Sequence, residues 1–546
     1  MNKRLKSPSV WMPLAIAVAL VAGIWIGKEL PGGSLSWSSR TKLDTILEMI
    51  DRNYVDEIDT DSLLEAALPD LIAGLDPHSV YIPAEDLQTV NEDLEGSFSG
   101  IGISFNLLGD TINVLEVISG GPSQKAGLMA GDRIVSVDDS IVAGKGISDV
   151  KVKGMLRGPK GSAVRLGIMR HTSADILEYE VMRDDIPVTS IDAAYIIEPG
   201  VGYIRINKFG ASTFNEFFTN ALMLTGQGAR KLIVDLRGNS GGYMEHAVLM
   251  ANEFLHADLP IVSMKGAHTP DSPTTGSDGS GSLKNFELAV LIDEMSASSS
   301  EIFAGAMQDN DRGIIVGRRS FGKGLVQHQL ELPDSSALRL TIARYYTPSG
   351  RCIQKTYAPG VDYERDLLTR FEHGEMYSAD SIRQDTSLSF STLGGRTVYG
   401  GGGIMPDIFV PNDTTGITSW YLKVSNLGLP NKYTFEYADR NREALSAAGD
   451  ARGMMALLPD DDTLLSDFVE YARQAGVAPR WYYINISRDL LVNTLKALIA
   501  RNIYGTEGYF EVDNLTDPAV KTALEALRDG RATPPVTVTH NPSPKQ

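Results

Sequence analysis

The sequence predicts a multidomain α/β chain, and three patterns predict it. Between residues 193 and 411 short apolar runs, "VGYIRI", "KLIVDL", "LAVLID" and "GIIVG", alternate with turns and helix-like stretches. That is the pattern of a sheet with crossover helices. Between residues 98 and 185 short β-like runs are punctuated by glycine turns. On both flanks apolar residues recur at three- and four-residue spacing, which predicts helices. A chain of 546 residues has room for about three or four domains, each with its own core.

From the N-terminus, Lys3, Arg4 and Lys6 precede the apolar stretch "VWMPLAIAVALVAGIWIG" at 10–27. Its length and basic flank predict a cytoplasmic tail and a transmembrane signal anchor within 1–30. No A-x-A cleavage site follows, so an uncleaved anchor is preferred to a removed signal peptide. Either way the body is exported, here to the periplasm, with single-pass inner-membrane attachment as the expected location. A helical region at 41–95 comes next. Leu43, Ile46, Leu47 and Ile50 share one helical face, and Leu64, Leu68, Leu71 and Leu75 share another. "NYVDEIDTDS" is the turn between them, and Pro77 and Pro83 forbid continuation.

Residues 96–186 read strand, strand, short helix, strand, helix, two strands. With "SGIGISF" and "AGLMAGDRIVSVD", this order resembles a circularly permuted bacterial PDZ domain. The resemblance implies recognition of free protein C-termini. N–H groups around Gly100, Ile101 and Gly102 would hold the carboxylate, and the peptide would add as a strand beside Ile101 and Ile103, where the pocket favours apolar C-terminal residues. A tight turn alone is the structural alternative.

Residues 190–413 hold the α/β core. "RGNSGG" follows the buried run "KLIVDL", and a serine-rich turn follows "LAVLID". The polar loop at 265–284 is expected to be mobile. Residues 414–530 are mostly helical in pattern, and 531–546 read as a disordered tail. No chemistry is assigned to either.

Composition excludes several classes. The formal net charge is −19, and no basic run lies beyond the first residues, so nucleic acid is not an expected partner. The lone Cys352 excludes an internal disulfide and a cysteine-cluster metal site. Eight histidines include no HExxH spacing, so neither metal nor cofactor is expected.

The chemistry centres on "SASSSEIFAG" at 296–305. Ser298 and Glu301 form an S-x-x-E capping box, which by itself is a structural motif. Lys323 and Gln327, in "FGKGLVQ", project to one side on either a strand or a helix, and Gly322 and Gly324 allow close backbone approach. These segments, with "FSGIGI", "LRGPKG", "DLRGNSGG" and "GGGIMPDI" in that order, resemble the carboxyl-terminal processing proteases, also called tail-specific proteases. The likeness spans about residues 43–411. It implies a crotonase/ClpP-like α/β protease core with the PDZ domain inserted. It also implies a serine–lysine dyad, Ser298 and Lys323, with Gln327 holding the lysine. Ser299 departs from the alanine often found there. A buried neutral amine can deprotonate serine, and a glutamine partner adds no charge that would favour the ammonium form. The backbone of Ser299, with Gly241 or Gly242, would supply the oxyanion donors. Arg157, at the end of the PDZ helix, would couple peptide binding to the Lys323–Gln327 segment. Expected partners are protein or peptide substrates with free, apolar C-termini, the membrane through the N-terminal helix, and a second copy of the chain. The alternatives are a non-proteolytic PDZ scaffold, a serine–histidine hydrolase using His246 or His328, and a crotonase-type acyl-CoA enzyme.

Overall fold

Six strands build the sheet that carries the site, in the order Ile191–Glu198, Val201–Ile206, Lys231–Asp235, Glu287–Ile292, Ile314–Gly317, Ile408–Phe409. The first pair is antiparallel and the rest run parallel. Parallel strands buried on both faces need near-continuous apolar runs, which residues 232–234 and 288–292 supply. Leu232, Val234, Leu288 and Val290 point to one face, where helices Thr213–Gly226, Met244–Phe254 and Ser299–Asp309 pack. Ile233, Ala289 and Leu291 point to the other, where Ala519, Val520, Ala523 and Leu527 of the helix Pro518–Arg528 cover them. The last described helix thus completes the sheet's second layer.

This computed structural model describes residues 39–532, apart from 109, 119, 171–172, 174, 269–273 and 359–360. The chain divides after Leu75. In the first unit, helices Ser39–Asn53 and Thr60–Ala73 appear where the apolar spacing predicts them, and Asp59 caps the second by accepting from the Asp61 N–H.

In the second unit, Val80–Ile82 is a strand that the sequence pattern does not disclose. It pairs with Ala337–Tyr346, the centre of a second sheet. Leu325–Glu331 lies along the other edge of that central strand, and Pro260–Lys265 pairs with its far end. Within 265–284, Thr275–Gly276 pairs with Pro260–Lys265, and 269–273 fall outside the described residues. Residues 103–182 form a separate six-stranded sheet, Ile103–Leu108 at one edge and Leu177–Met182 at the other, with the short strand Ser140–Ile141 paired to Arg133–Val137 and helices Pro122–Ala126 and Asp149–Leu156. The chain enters and leaves this layer through one antiparallel ribbon, Ser97–Gly100 against Asp184–Pro187. Helices from Ser419 to Asp513 pack around a core of Trp420, Tyr433, Phe468 and Leu495. The tail at 533–546 lies outside the described residues.

The membrane expectation is corrected. Among the described residues no helix is long and apolar enough to cross a membrane. The stretch at 10–27, on which the transmembrane signal anchor rests, lies outside the described residues. Single-pass inner-membrane attachment and the periplasmic placement that depends on it are therefore withdrawn.

Candidate active site

Two neighbouring parallel strands, Lys231–Asp235 and Glu287–Ile292, deliver the glycine turn and the serine turn side by side. Asn239, fully buried, ties them together. Its carbonyl accepts from the Ala297 N–H (3.0 Å) and the Ser300 hydroxyl (2.9 Å), and its side-chain amide donates to the Ile206 carbonyl (3.0 Å). Ser296 donates to the Leu236 carbonyl (2.8 Å) and Ser299 to the Gly242 carbonyl (2.8 Å). The hydroxyls of Ser296, Ser299 and Ser300 are thus all spent on the 236–242 turn.

Ser298 differs from its neighbours. It sits at the N-cap of the helix Ser299–Asp309 with φ 56° and ψ −115°, a left-handed backbone unusual outside glycine. Its N–H donates to Glu301 Oε2 (2.9 Å), the carboxylate half of the capping box, and its carbonyl accepts from the Glu301 N–H (2.9 Å). Gly241 lies directly against it: a Cβ placed on Gly241 would be 2.6 Å from Ser298 Cβ, and its φ is 103°. Only glycine fits there.

Glu301 extends well beyond a cap. It is fully buried, and its carboxylate also accepts from the Gly322 N–H (2.7 Å), the Lys323 N–H (2.8 Å) and the Ser320 hydroxyl (2.5 Å). Burial raises its pKa, and these donors oppose the shift. Tyr345, also buried, adds a second tether from the sheet below. Its hydroxyl lies 2.7 Å from the Lys323 carbonyl and 3.1 Å from the Ser298 carbonyl, a three-centre hydrogen bond between the two segments. These two side chains fasten the serine turn to the lysine loop.

Lys323 and Gln327 do face the same side: Lys323 Nζ donates to Gln327 Oε1 (2.9 Å). The other end of the amide donates to the His78 carbonyl (2.5 Å), which fixes which atom faces the amine. The Lys323 amine is held below the ordinary lysine range. Burial is the main cause, Arg339 adds repulsion, and Glu301 and Asp76 pull the other way. The His78 imidazole is pushed down to about 4, by burial first and then by the charge of Lys323. Its Nε2 is 2.7 Å from the Tyr363 hydroxyl.

The oxyanion assignment needs one correction. The Gly241 N–H is already donated to Asn239 Oδ1 (2.9 Å), which removes it as a donor. The N–H groups of Ser299 and Gly242 make no backbone–backbone bond outside regular elements, and Gly242 is exposed. Neither rival histidine reaches Ser298 through a hydrogen bond. His246 Nδ1 accepts from the Phe214 N–H (3.3 Å), and His328 is exposed on the strand Leu325–Glu331.

In the 103–182 layer, Gly102 has φ 74°, and Ile101 and Ile103 pack at the core. Gly100 pairs with Asp184 in the entry ribbon. Arg157 is engaged away from the lysine. Its Nη1 donates to Glu92 Oε2 (2.7 Å), and its guanidinium lies over the Phe98 ring at 4.5 Å.

The sequence reading missed Tyr345, the His78 carbonyl, Asn239 and the wider reach of Glu301. Only Glu301 and Asn239 carried any signal, by lying inside motifs. The Tyr345 tether has a measurable consequence. Tyr345→Phe should lower turnover about tenfold and stability by about 1 kcal/mol, as expected for losing one buried hydroxyl bridge. Unchanged turnover on a peptide substrate would show that the tether does not position the site.

Comparison with known proteins agrees with this architecture. The model of peptidase family S41 matches residues 200–365, a PDZ domain model matches 99–181, and a family of unknown function matches 420–505. A probable CtpA-like serine protease of Staphylococcus aureus (strain N315) is 31% identical over 342 residues, covering 62% of this chain and 68% of that protein. Its counterpart in Staphylococcus haemolyticus (strain JCSC1435) is 32% identical over 410 residues, covering 73% and 79%. A solved photosystem II D1 C-terminal processing protease is 25% identical, covers 67% of this chain and 91% of its own, and superposes with a TM-score of 0.33. The chain belongs to peptidase family S41, as a CtpA-like serine protease carrying a PDZ domain.

Proposed function

We propose that this serine protease cleaves peptide bonds with Ser298 as nucleophile, neutral Lys323 as general base and Gln327 as the group that orients the amine. The observation that carries this reading is the division of labour among the serines. The other three hydroxyls in 296–300 are bonded to the glycine turn, whereas Ser298 is the one whose backbone Glu301 and Tyr345 tether to Lys323. In the reaction the Ser298 hydroxyl proton passes to Lys323 Nζ as Oγ bonds the carbonyl carbon. The N–H groups of Ser299 and Gly242 receive the oxyanion, at the start of a helix whose dipole favours negative charge. The ammonium returns its proton to the leaving amine, and water then hydrolyses the acyl-enzyme by the same route.

We read the core as crotonase/ClpP-like and the PDZ domain as circularly permuted, inserted between about 96 and 186. The strand order and the paired entry ribbon support this. Substrate C-termini would dock at Ile101 and Gly102 and add beside the open edge of Ile103–Leu108. A regulatory role for Arg157 would run through Glu92. The adjacent Asn91 Oδ1 accepts from Gln329 Nε2 (2.9 Å), two residues beyond Gln327.

Ser298→Ala and Lys323→Ala should each abolish cleavage with thermal unfolding nearly unchanged, Gln327→Ala should leave weak activity, and Ser299→Ala should retain most of it. Turnover by the lysine variant would remove the base. Because only the free amine accepts a proton, kcat/KM should rise with pH as Lys323 deprotonates. The midpoint should lie below about 10.4, the value for an unperturbed lysine.

Substrate choice gives a separate test. Amidating a substrate's C-terminus, or ending it in charged residues, should raise KM, and apolar C-terminal residues should lower it. Equal kinetics across such a set would mean that the PDZ domain reads another feature.

A further inference from the structure

The helices beyond Ser419 touch both the PDZ domain and the protease sheet, at residues that packing of their own core does not require. On the PDZ side, Arg133 Nη2 lies 3.6 Å from Asp439 Oδ2, and its guanidinium sits 5.7 Å from the Phe435 ring centroid. Beside this pair Gly131 has φ 95°, and a Cβ there would be 3.0 Å from both Asp439 Oδ1 and Arg442 Nη2. A second contact comes from the helix Arg488–Asp513, which is broken at Gly505 (φ 71°, ψ −161°). A Cβ on Gly505 would lie 3.3 Å from the carboxylate of Glu116, on the PDZ strand Thr111–Val117. The break therefore falls where the helix backbone passes the Glu116 carboxylate.

The same helix then runs on to the protease. Glu507 Oε2 accepts from the Ala194 N–H (2.9 Å), and Tyr195 OH donates to the Phe510 carbonyl (3.1 Å) while accepting from Asn514 Nδ2 (2.8 Å). Asp517 Oδ2 accepts from Arg237 Nη1 (2.7 Å). Arg237 also pairs with the buried Asp235 and opens the turn that carries Gly241 and Gly242. The PDZ-facing contact is charged and incompletely filled: a cleft of about 600 Å³ lies between Thr111 and Met169 on one side and Lys432 and Arg440 on the other. A polar, loosely packed contact of this kind is separable from the two cores it joins.

We propose that the C-terminal helical region is an intramolecular brace. It grips the PDZ domain at Glu116 and Arg133 and fastens it to the glycine turn of the protease sheet through Asp517 and Arg237. This holds whichever groups carry out the chemistry.

The test is hydrogen exchange on the full chain with Arg133→Asp, Asp439→Arg and both together. Each single reversal should raise exchange about tenfold in both facing segments, 111–137 and 429–446, while the strand Lys231–Asp235 stays protected. The double reversal, which restores opposite charges, should return both segments to within about twofold of the original. Unchanged exchange in the single variants would overturn the brace, as would a rise confined to the substituted segment that the double variant does not reverse. Asp517→Asn keeps a cap for the last helix but removes the charge facing Arg237. It should raise exchange in 237–243, and unaltered protection there would show that the brace stops short of the glycine turn.

Discussion

A single buried carboxylate holds the site together. Glu301 accepts hydrogen bonds from Ser298, Ser320, Gly322 and Lys323, so one side chain fixes the backbone of the serine turn and of the lysine loop at once. Taking a carboxylate out of water costs several kcal/mol, and leaving it unpaired would cost the fold more than the site gains. Four donors offset that cost only if both loops are in place. The carboxylate therefore works as a template, because the geometry that satisfies it is the geometry that ties the Ser298 backbone to the Lys323 backbone. Tyr345 performs the same joining from the second sheet, through two carbonyls rather than two N–H groups.

The electrostatics follow from this arrangement. Lys323 lies close enough to Glu301 and Asp76 for both to favour its ammonium form, yet burial and Arg339 outweigh them and the amine is held below its usual range. Glu301 spends its lone pairs on backbone and hydroxyl donors, which leaves Gln327 as the amine's hydrogen-bond partner. A carboxylate at position 327 would add a full charge beside the amine and restore the ordinary lysine pKa. The His78 carbonyl, by accepting from the far end of the amide, keeps the oxygen of Gln327 toward the lysine. The His78 imidazole, pushed down to about 4 chiefly by burial, faces the Tyr363 hydroxyl.

Much of this was legible in the sequence where periodicity or local chemistry speaks. The buried runs "KLIVDL" and "LAVLID" alternate between two apolar faces and became adjacent parallel strands. Lys323 precedes the strand Leu325–Glu331, whose register shifts between Val326 and Gln327, and the two side chains meet through the bond from Nζ to Oε1 rather than through regular alternation alone. What the sequence hid were contacts between distant backbones. Val80–Ile82 is three residues long, too short for a pattern, and the His78 carbonyl leaves no trace in residue type. Tyr345 reads only as one more residue in an alternating strand. Gly241 looked like an oxyanion donor until Asn239 was seen to use its N–H. The closing helix Pro518–Arg528 is amphipathic in sequence, but nothing local says that its apolar face covers the protease sheet. Arg157 pairs with Glu92, an ion pair between elements that sequence spacing does not relate.

The central proposal is that Lys323, its amine held below the ordinary lysine range, serves as the base for Ser298. Selective carbon-13 labelling of lysine Cε, with Lys323 assigned through Lys323→Arg, would follow its titration by NMR in the Ser298→Ala protein. The account predicts a midpoint clearly below about 10.4, moving lower still in Glu301→Gln as the favourable charge is removed. A midpoint at or above the ordinary lysine value would contradict it, because the amine would then be protonated where the proposed mechanism needs a base.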